Sequence, residues 1–273
     1  MNQVVVSYGG GINSTAMLVG MVERGFRPDA ILFADTGGER ESTYAFVQAV
    51  SDWCVSHGLP PVTTVRTVFP ILERRGVAYS TLEDECLQNG QLPSLAYGFH
   101  KCADKWKVRA QMQWLRTSDL GVAARAAGEI VYKCIGFHAD EQRRIKSFTD
   151  PGTEKMYPLV EWGWTQADCL AAIRRTGLPQ PAKSACFFCP ATPKRDVATL
   201  AVEDPALFAR AVAMEHAAQA AGNLKTVVGL GRHWTWESVG KAATQGCNLP
   251  AGPESSTTPC GCWDGSDNPD EDD

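Results

Sequence analysis

The chain contains no apolar run that approaches the roughly 18 residues of a membrane-spanning helix, although 44% of its 273 residues are hydrophobic. Residues 1–11 also lack the basic start and apolar core of a secretory signal. These absences predict a cytoplasmic globular protein with no membrane partner. The chain is long enough to bury a full core, and it contains no internal repeat.

Positive charge is also scarce. The formal net charge is −5, which argues against a strongly nucleic-acid-binding protein. The negative charge is concentrated in residues 264–273, which contain six acidic side chains, so the rest of the chain carries +1. This tail has no large apolar side chains with which to offset the entropy of ordering, and we predict that it is disordered.

Because no export signal is present, the ten cysteines do not predict a disulfide framework. Cys54, Cys134 and Cys169 fall within strand or helix patterns and are expected to be small core residues.

Strand patterns alternate with helix patterns along the first half of the chain. The strands are "VVVSY" (4–8), "AILFAD" (30–35), "PVTTVRT" (61–67) and "EIVYKCIGF" (129–137), and helices are predicted over 14–25 and 42–58. This order predicts an α/β fold with a doubly wound parallel sheet, whose ligands bind at the carboxyl ends of the strands.

The second half is mostly helical, with predicted helices over 165–177 and 204–222. We expect three regions: a nucleotide-binding α/β domain (1–160), a helical extension with a C-x-x-C motif (161–221), and an irregular segment with the acidic tail (222–273).

The stretch "SYGGGINST" (7–15) joins the first strand to the first helix. Glycines there let the backbone approach a ligand, and the first helical N–H groups favour an anion. A P-loop is excluded because no lysine follows the glycines. A dinucleotide site stays open, since Gly9 and Gly11 fit G-x-G-x-x-G, although Ser14 takes the third position. A helix N-terminus with no ligand is the remaining alternative.

The same stretch resembles the PP-loop of the ATP pyrophosphatase superfamily, S-G-G-x-[DN]-[ST]. Gly10, Gly11, Asn13 and Ser14 match, whereas Gly9 replaces the usual serine and Asn13 the more frequent aspartate. The resemblance implies the adenine nucleotide alpha-hydrolase-like (HUP) fold. It also implies that the phosphates of ATP are held by the following residues: Ser7, Gly9, Gly10, Gly11, Asn13, Ser14 and Thr15.

Two later stretches are similar to the phosphoadenosine phosphosulfate (PAPS) reductase branch of this superfamily. "FADTGGERESTYAFV" (33–47) implies that Asp35 and Thr36 border the adenosine. "IGFHADEQRRI" (135–145) implies that Gly136, Arg143 and Arg144 contact a phosphate or an anionic substrate, because guanidinium groups can donate paired hydrogen bonds. From the residues alone, the first stretch could be an ordinary turn and the second a solvated helix face.

"CFFC" places Cys186 and Cys189 within reach of one metal or cluster, and Cys102 among basic residues is the candidate third ligand. One early cysteine followed by C-x-x-C resembles the iron–sulfur sites of adenylylsulfate reductases, of DndC-type DNA phosphorothioation proteins and of reductase-like phage proteins. A [4Fe-4S] cluster, a zinc ion and plain core thiols stay open. The reductases' E-C-G-x-H tail is absent, and "PCGCW" (259–263) stands near the end instead.

The resemblance implies an enzyme that uses ATP and Mg²⁺ to adenylate a nucleic acid or nucleotide, releases pyrophosphate and then introduces sulfur, with a sulfur donor protein as a further partner. Asn13, Ser14 and Asp35 are its candidate catalytic residues. Thiol-dependent reduction of PAPS is the second possibility. A non-catalytic nucleotide-binding module and a zinc-stabilised nucleic-acid-binding protein are the others, and the basic, tryptophan-containing segment 101–116 is the candidate nucleic-acid surface.

Overall fold

The computed structural model describes residues 3–69, 76, 79–145, 151–182 and 184–245. In chain order its strands are β1 (Gln3–Tyr8), β2 (Ala30–Ala34), β3 (Val62–Val65), β4 (Val131–Ile135) and β5 (Thr153–Met156). Its α-helices are α1 (Ile12–Glu23), α2 (Glu41–Ser56), α3 (Leu82–Gln88), α4 (Lys101–Ala103), α5 (Arg109–Thr117), α6 (Asp119–Ala127), α7 (Pro158–Glu161), α8 (Gln166–Arg175), α9 (Lys194–Glu203), α10 (Pro205–Ala220) and α11 (Trp236–Thr244). A π-helical segment, Asp104–Val108, joins α4 to α5, and 3₁₀ turns lie at Ser94–Tyr97 and Ala139–Arg144.

The strands form one parallel sheet in the order β3-β2-β1-β4-β5. The predicted α/β class and the four predicted strands are confirmed. β5 was not predicted, because its sequence Thr-Glu-Lys-Met has no apolar run. Its position at the edge of the sheet explains this, since an edge strand is only partly buried and needs fewer apolar side chains.

Both faces of the sheet are covered, which is why the central strands are apolar throughout. On one face, Tyr8 and Phe33 pack with α1, α2 and α8. On the other, Val5 and Leu32 pack with α5 and α6, through Leu115 among others. Alternate residues of β1 therefore point to opposite cores.

The described chain forms two compact units, each assembled from separate stretches. The first comprises residues 3–35, 41–67, 106–145, 151–182 and 184, and the second comprises 36–40, 68–69, 76, 79–105 and 185–245. Helix α8, which the sequence analysis assigned to the extension, belongs to the first unit and packs beside α1. The three predicted regions stay predictions.

In the second unit, α9 packs against α10 and α11, and α10 packs against α3. Arg210 on α10 forms an ion pair with Glu83 on α3. No helix in the described part of the chain is both long and apolar enough to cross a bilayer. The predicted disordered tail and Cys247, Cys260 and Cys262 lie outside the described residues.

Candidate functional site

The candidate site lies at the carboxyl edge of the parallel sheet. The glycine turn follows β1, Asp35 follows β2, Arg66 follows β3, and Gly136 follows β4. β1 lies between β2 and β4 in the sheet. The chain adds β2 and β3 on one side of β1 and then β4 and β5 on the other, so the strand order reverses between β1 and β4. Such a reversal opens the crevice in which α/β sheets bind ligands.

The glycine turn leads directly into α1. Gly10 has a φ of 72°, a left-handed conformation that side-chain-bearing residues rarely adopt. Gly11 is the N-cap residue of α1 and provides no side-chain hydrogen bond to the first turn. The first N–H groups of α1 therefore need partners from outside the helix, and an anion is the partner they favour.

The hydroxyl groups after the glycines brace the turn. Ser14 Oγ accepts a hydrogen bond of 3.1 Å from the Gly9 N–H and donates to the Gly11 carbonyl. Thr15 Oγ1 donates to the same carbonyl at 2.8 Å and lies 3.2 Å from the Tyr8 hydroxyl. Burial raises the pKa of Tyr8 above its usual range, so its hydroxyl stays neutral.

Gly136 allows the end of β4 to approach the start of α1. A Cβ atom at this position would lie 2.9 Å from Cα and N of Ser14 and 3.1 Å from the carbonyl carbon of Asn13. These neighbours are backbone atoms and cannot turn away. Gly136 therefore sets the distance between the two segments that flank the reversal point.

The segment after β4 places a buried carboxylate beside the glycine turn. Asn13 Nδ2 donates a hydrogen bond of 2.7 Å to Glu141 Oε2. Arg144 pairs with the other carboxylate oxygen and lies over the Phe137 ring. Arg143, which was predicted together with Arg144 to contact an anion, is exposed and makes no ion pair within the described residues. The structure thus brings Asn13, Glu141 and Arg144 together.

Asp35 is buried and already engaged. Its Oδ2 accepts hydrogen bonds from Nε (2.9 Å) and Nη2 (2.6 Å) of Arg66, and its Oδ1 accepts one of 2.8 Å from the Tyr44 hydroxyl. The hydrogen bonds to Asp35 raise the pKa of Arg66. The Arg66 side chain is 60% exposed. Asp35 therefore holds an arginine at the sheet edge.

Behind the end of β1, Ser7 Oγ donates a hydrogen bond of 2.7 Å to Gln111 Oε1 on α5. Gln111 and Lys107, which lies four residues earlier, are both buried. On the other side of the turn, a Cβ at Gly11 would lie 3.0 Å from Ser184 Oγ. Gln111 thus contacts Ser7, and Ser184 lies beside Gly11, although neither residue belongs to the glycine motif.

The C-x-x-C motif lies in the second unit and forms a turn in which the Cys189 N–H donates to the Cys186 carbonyl at 2.9 Å. The turn packs on residues 36–38. Thr36 Oγ1 lies 3.0 Å from Cys186 Sγ, and the Phe187 N–H donates to the Gly38 carbonyl at 2.7 Å. Thr36, predicted to border the adenosine, therefore contacts a cysteine within its own unit.

Cys102 belongs to the same unit as the C-x-x-C turn and is half-buried on α4. Its thiol interacts electrostatically with Cys86, whose pKa is raised by burial and by the neighbouring Glu85 and Cys102. Within the described residues, no group of three or more His, Cys, Asp or Glu side chains is arranged to hold a metal ion. The three-cysteine ligand set stays a prediction.

The cysteines expected in the core are there. Cys54, Cys134 and Cys169 have no exposed surface, and burial raises the pKa of each thiol to about 12. These thiols are neutral at physiological pH and pack as small apolar groups. The tryptophans also pack, with Trp106 and Trp236 fully buried.

Sequence reasoning missed Arg66, Gln111, Ser184 and Lys107 as site residues. Arg66 could have been found, because it lies at the carboxyl end of a predicted strand, as Asp35 does. Gln111 and Ser184 carry no local signal, since only folding brings them to the turn. No protein-family model matches the chain and no curated protein matches it, so the site is defined by its own residues and geometry.

Proposed function

We propose that the chain is a PP-loop enzyme of the PAPS reductase-like type with the HUP fold, which binds ATP and transfers sulfur to a nucleic acid or nucleotide in the cytoplasm. The observation that carries the proposal is the uncapped, glycine-led start of α1 at the reversal point of the sheet. A phosphate group is the ligand that such a backbone arrangement favours most.

In the proposed reaction an acceptor oxygen attacks the α-phosphorus of ATP. The bond from that phosphorus to the oxygen bridging to the β-phosphate breaks, and pyrophosphate leaves with the electron pair. A sulfur nucleophile from a donor protein then displaces AMP from the adenylated acceptor. The protein's main contribution is to position the phosphates and to stabilise their charge.

Two arginines at the sheet edge could stabilise the negative charge of the phosphates. Arg66 is held by Asp35 on one side of the glycine turn, and Arg144 is held by Glu141 on the other. Guanidinium groups fixed in this way bind anionic oxygens with little loss of side-chain entropy. Asp35 and Glu141 then act as positioning residues for these cations.

The oxygen-bearing side chains beside the glycine turn are chemically suited to bind Mg²⁺. Asn13 and Glu141 provide oxygen atoms, which are the ligands that Mg²⁺ prefers. When bound there, the ion would neutralise phosphate charge. Because Asn13 replaces aspartate, Glu141, which accepts a hydrogen bond from Asn13, is the carboxylate that would hold the ion.

Cys186 and Cys189 would hold two positions of an iron–sulfur cluster or a zinc ion, with Cys102 as the proposed third ligand. Their thiol chemistry fits both metals, and a C-x-x-C turn is a usual part of both kinds of site. A cluster would supply sulfur activation or electron transfer when bound. Anaerobic purification followed by iron, zinc and sulfide analysis of wild type and Cys186→Ser distinguishes the metals.

A pyrophosphate-release assay with ATP and Mg²⁺ tests the proposal, together with calorimetric titration of ATP. Gly11→Asp is the diagnostic variant, because aspartate is a good N-cap residue. Its carboxylate would accept hydrogen bonds from the first backbone N–H groups of α1, which would then no longer be available to the phosphates. We expect thermal stability to change little, because the new N-cap hydrogen bond offsets the close approach of the added Cβ to Ser184 Oγ, and we expect ATP binding to be lost. Wild-type affinity for ATP in Gly11→Asp would contradict the proposed site.

A nucleotide-binding module without turnover is the second candidate. It is favoured by the engagement of both carboxylates, Asp35 with Arg66 and Glu141 with Asn13 and Arg144. This candidate predicts that ATP binds with its affinity sensitive to Gly11→Asp, but that no pyrophosphate is released with any nucleic-acid acceptor. Release of pyrophosphate above background would exclude it.

A further inference from the structure

The buried side-chain amide of Gln111 has an unused donor. Gln111 lies on α5 and is 2% exposed. Its Oε1 accepts the hydrogen bond from Ser7 Oγ, whereas its Nε2 is buried and has no hydrogen-bond partner among the described residues. Buried amide donors are almost always paired, because desolvation without a partner is unfavourable. The protein therefore presents a donor whose partner must come from elsewhere.

The hydrogen bond to Ser7 locates this donor. Ser7 is the residue before the last of β1, and its neighbours Val6 and Tyr8 point into the core on the α1 face. Ser7 therefore points to the opposite face, where α5 packs. The Gln111 amide lies at the end of the strand that leads into the glycine turn, on the side away from α1.

The chain just before Gln111 brings positive charge to the same sheet edge. Thr67, which follows β3, donates a hydrogen bond of 3.2 Å to the Trp106 carbonyl. Lys107 comes next in the chain and is buried in the π-helical segment. π-helical turns within α-helices occur frequently at functional sites. A buried cation followed by an unpaired amide donor fits an anionic ligand and not a cation.

We infer that Gln111 Nε2 donates a hydrogen bond to a phosphate oxygen of the nucleotide bound at the glycine turn, and that Ser7 is a positioning residue that fixes the orientation of this amide. The inference rests on the proposed function, because it takes the ligand to be a nucleotide. In this arrangement Ser7 acts indirectly, because its hydroxyl donates its hydrogen bond to Gln111 Oε1 and not to the phosphates.

Calorimetric titration of the full chain with ATP and Mg²⁺ tests the inference. Gln111→Glu keeps an acceptor for Ser7 and replaces the donor by a carboxylate oxygen, which would face the phosphate. We expect the dissociation constant for ATP to rise at least tenfold. Gln113→Glu adds the same charge to the same helix and is the matched control, for which we expect a change of less than twofold.

A second variant separates binding from folding. Ser7→Ala/Gln111→Met removes both hydrogen-bonding groups together and replaces the amide by an apolar group of similar size. If the amide is kept for the ligand, the melting temperature without ATP stays the same or rises, because the unpaired donor is gone, while the ATP dissociation constant rises several-fold. An amide satisfied by a buried water predicts instead a lower melting temperature and unchanged affinity.

The outcomes also separate this inference from the proposed function. Wild-type ATP affinity in the double variant, combined with loss of binding in Gly11→Asp, would overturn the role of Gln111 and leave the nucleotide site standing. Failure of the wild-type protein to bind ATP would overturn both.

Discussion

Individual residues at the sheet edge act in hydrogen-bonded pairs, and all of these pairs except Glu141–Arg144 join residues that are distant in the chain. Asp35 holds Arg66, Glu141 holds Arg144 and Asn13, and Ser7 holds Gln111. In each pair one buried member fixes the direction of the other. Buried hydrogen-bonded groups of this kind keep a site rigid, and removing one member leaves the other unsatisfied.

Replacing Asp35 tests the first pair. Asp35→Asn removes the negative charge of the carboxylate to which two N–H groups of Arg66 and the Tyr44 hydroxyl donate hydrogen bonds. We expect the free energy of unfolding, measured by urea denaturation, to fall by about 1–3 kcal/mol. Tyr44→Phe, which deletes the hydrogen bond to Asp35 Oδ1 and keeps the charge, should cost about 1 kcal/mol. Equal stability of Asp35→Asn and wild type would mean that the ion pair has no structural role.

Exchanging charge between Asn13 and Glu141 tests the second pair. Asn13→Asp would place two carboxylates where an amide now donates at 2.7 Å, so we expect a lower melting temperature and weaker ATP binding. Asn13→Asp/Glu141→Gln restores an amide–carboxylate pair with the partners reversed and should recover much of the loss. A double-mutant cycle on melting temperature and ATP affinity measures the coupling; strictly additive effects would refute it.

At the scale of elements, the site is built where helices and strands begin and end. α1 starts at the glycine turn without a side-chain cap, as α4, α5, α7 and α9 also do, whereas α8 is capped by Thr165. What distinguishes α1 is that its uncapped start follows three glycines at the carboxyl end of a central strand. β4 ends in a glycine at the point where it approaches α1. The elements adjoining the site thus leave room and unpaired N–H groups at their ends.

Gly136→Ala tests the approach of β4 to α1. The added methyl group would meet backbone atoms of Asn13 and Ser14, so the two elements must move apart. We expect a loss of about 1–3 kcal/mol in unfolding free energy and weaker ATP binding. Gly128→Ala, where φ is 67° but nothing lies within 4 Å, controls for backbone strain and should leave ATP affinity unchanged.

The link between α10 and α11 gives a prediction of pH dependence. Glu215 is buried on α10 and accepts hydrogen bonds from the N–H groups of Leu230, Trp236 and Glu237, yet burial raises its pKa above the usual range of a glutamate. A carboxyl group with a raised pKa in the folded state stabilises the fold below the unfolded value, and this stability is lost as pH rises through the folded pKa. Wild type should therefore lose stability relative to Glu215→Gln as pH rises from the unfolded pKa through the raised folded pKa.

Urea unfolding of both proteins between pH 4 and pH 7 measures this difference. Glu237 provides a control of opposite sign, because hydrogen bonds from Lys241 and His216 lower its pKa. Wild type should gain stability relative to Glu237→Gln as pH rises from the lowered folded pKa to the unfolded value, so this gain lies at the acid end of the range. A stability difference between wild type and Glu215→Gln that does not vary with pH would contradict the expectation.

For the whole molecule, the described cysteines differ in burial. Cys102 and Cys186 of the second unit are half-buried. The other described cysteines are buried: Cys54, Cys134 and Cys169 in the first unit, and Cys86 and Cys189 in the second. Thiol reactivity follows the fraction of thiolate and its accessibility. Cys102 and Cys186 are therefore the described cysteines most available for chemistry.

Alkylation of the native protein tests this division. We expect iodoacetamide at pH 8 to modify Cys102 and Cys186 well before Cys54, Cys134 and Cys169, whose pKa near 12 leaves about one thiol in 10⁴ ionised. Peptide mass spectrometry measures the order. If a metal is bound, a chelator should increase labelling of Cys186 and leave the core cysteines unmodified. Early labelling of the core cysteines would contradict the described packing.

Much of the fold was predictable because its signals are local. Apolar runs bounded by glycine or polar residues indicated β1 to β4, and the periodic apolar positions indicated α1, α2, α8 and α10. β5 has no such run and was missed. The glycine turn was equally visible, since three consecutive glycines between a strand and a helix form a local pattern.

The chain's local chemistry thus settled the α/β class and marked the turn at residues 9–14 as the candidate phosphate site. Folding alone decided that β4 lies beside β1, that Asp35 faces Arg66, that Glu141 faces Asn13, and that an unpaired amide of Gln111 lies beneath β1. The physical reason is that propensity and periodicity act over a few neighbouring residues, whereas these pairings join residues 31 to 128 positions apart and depend on how whole elements pack.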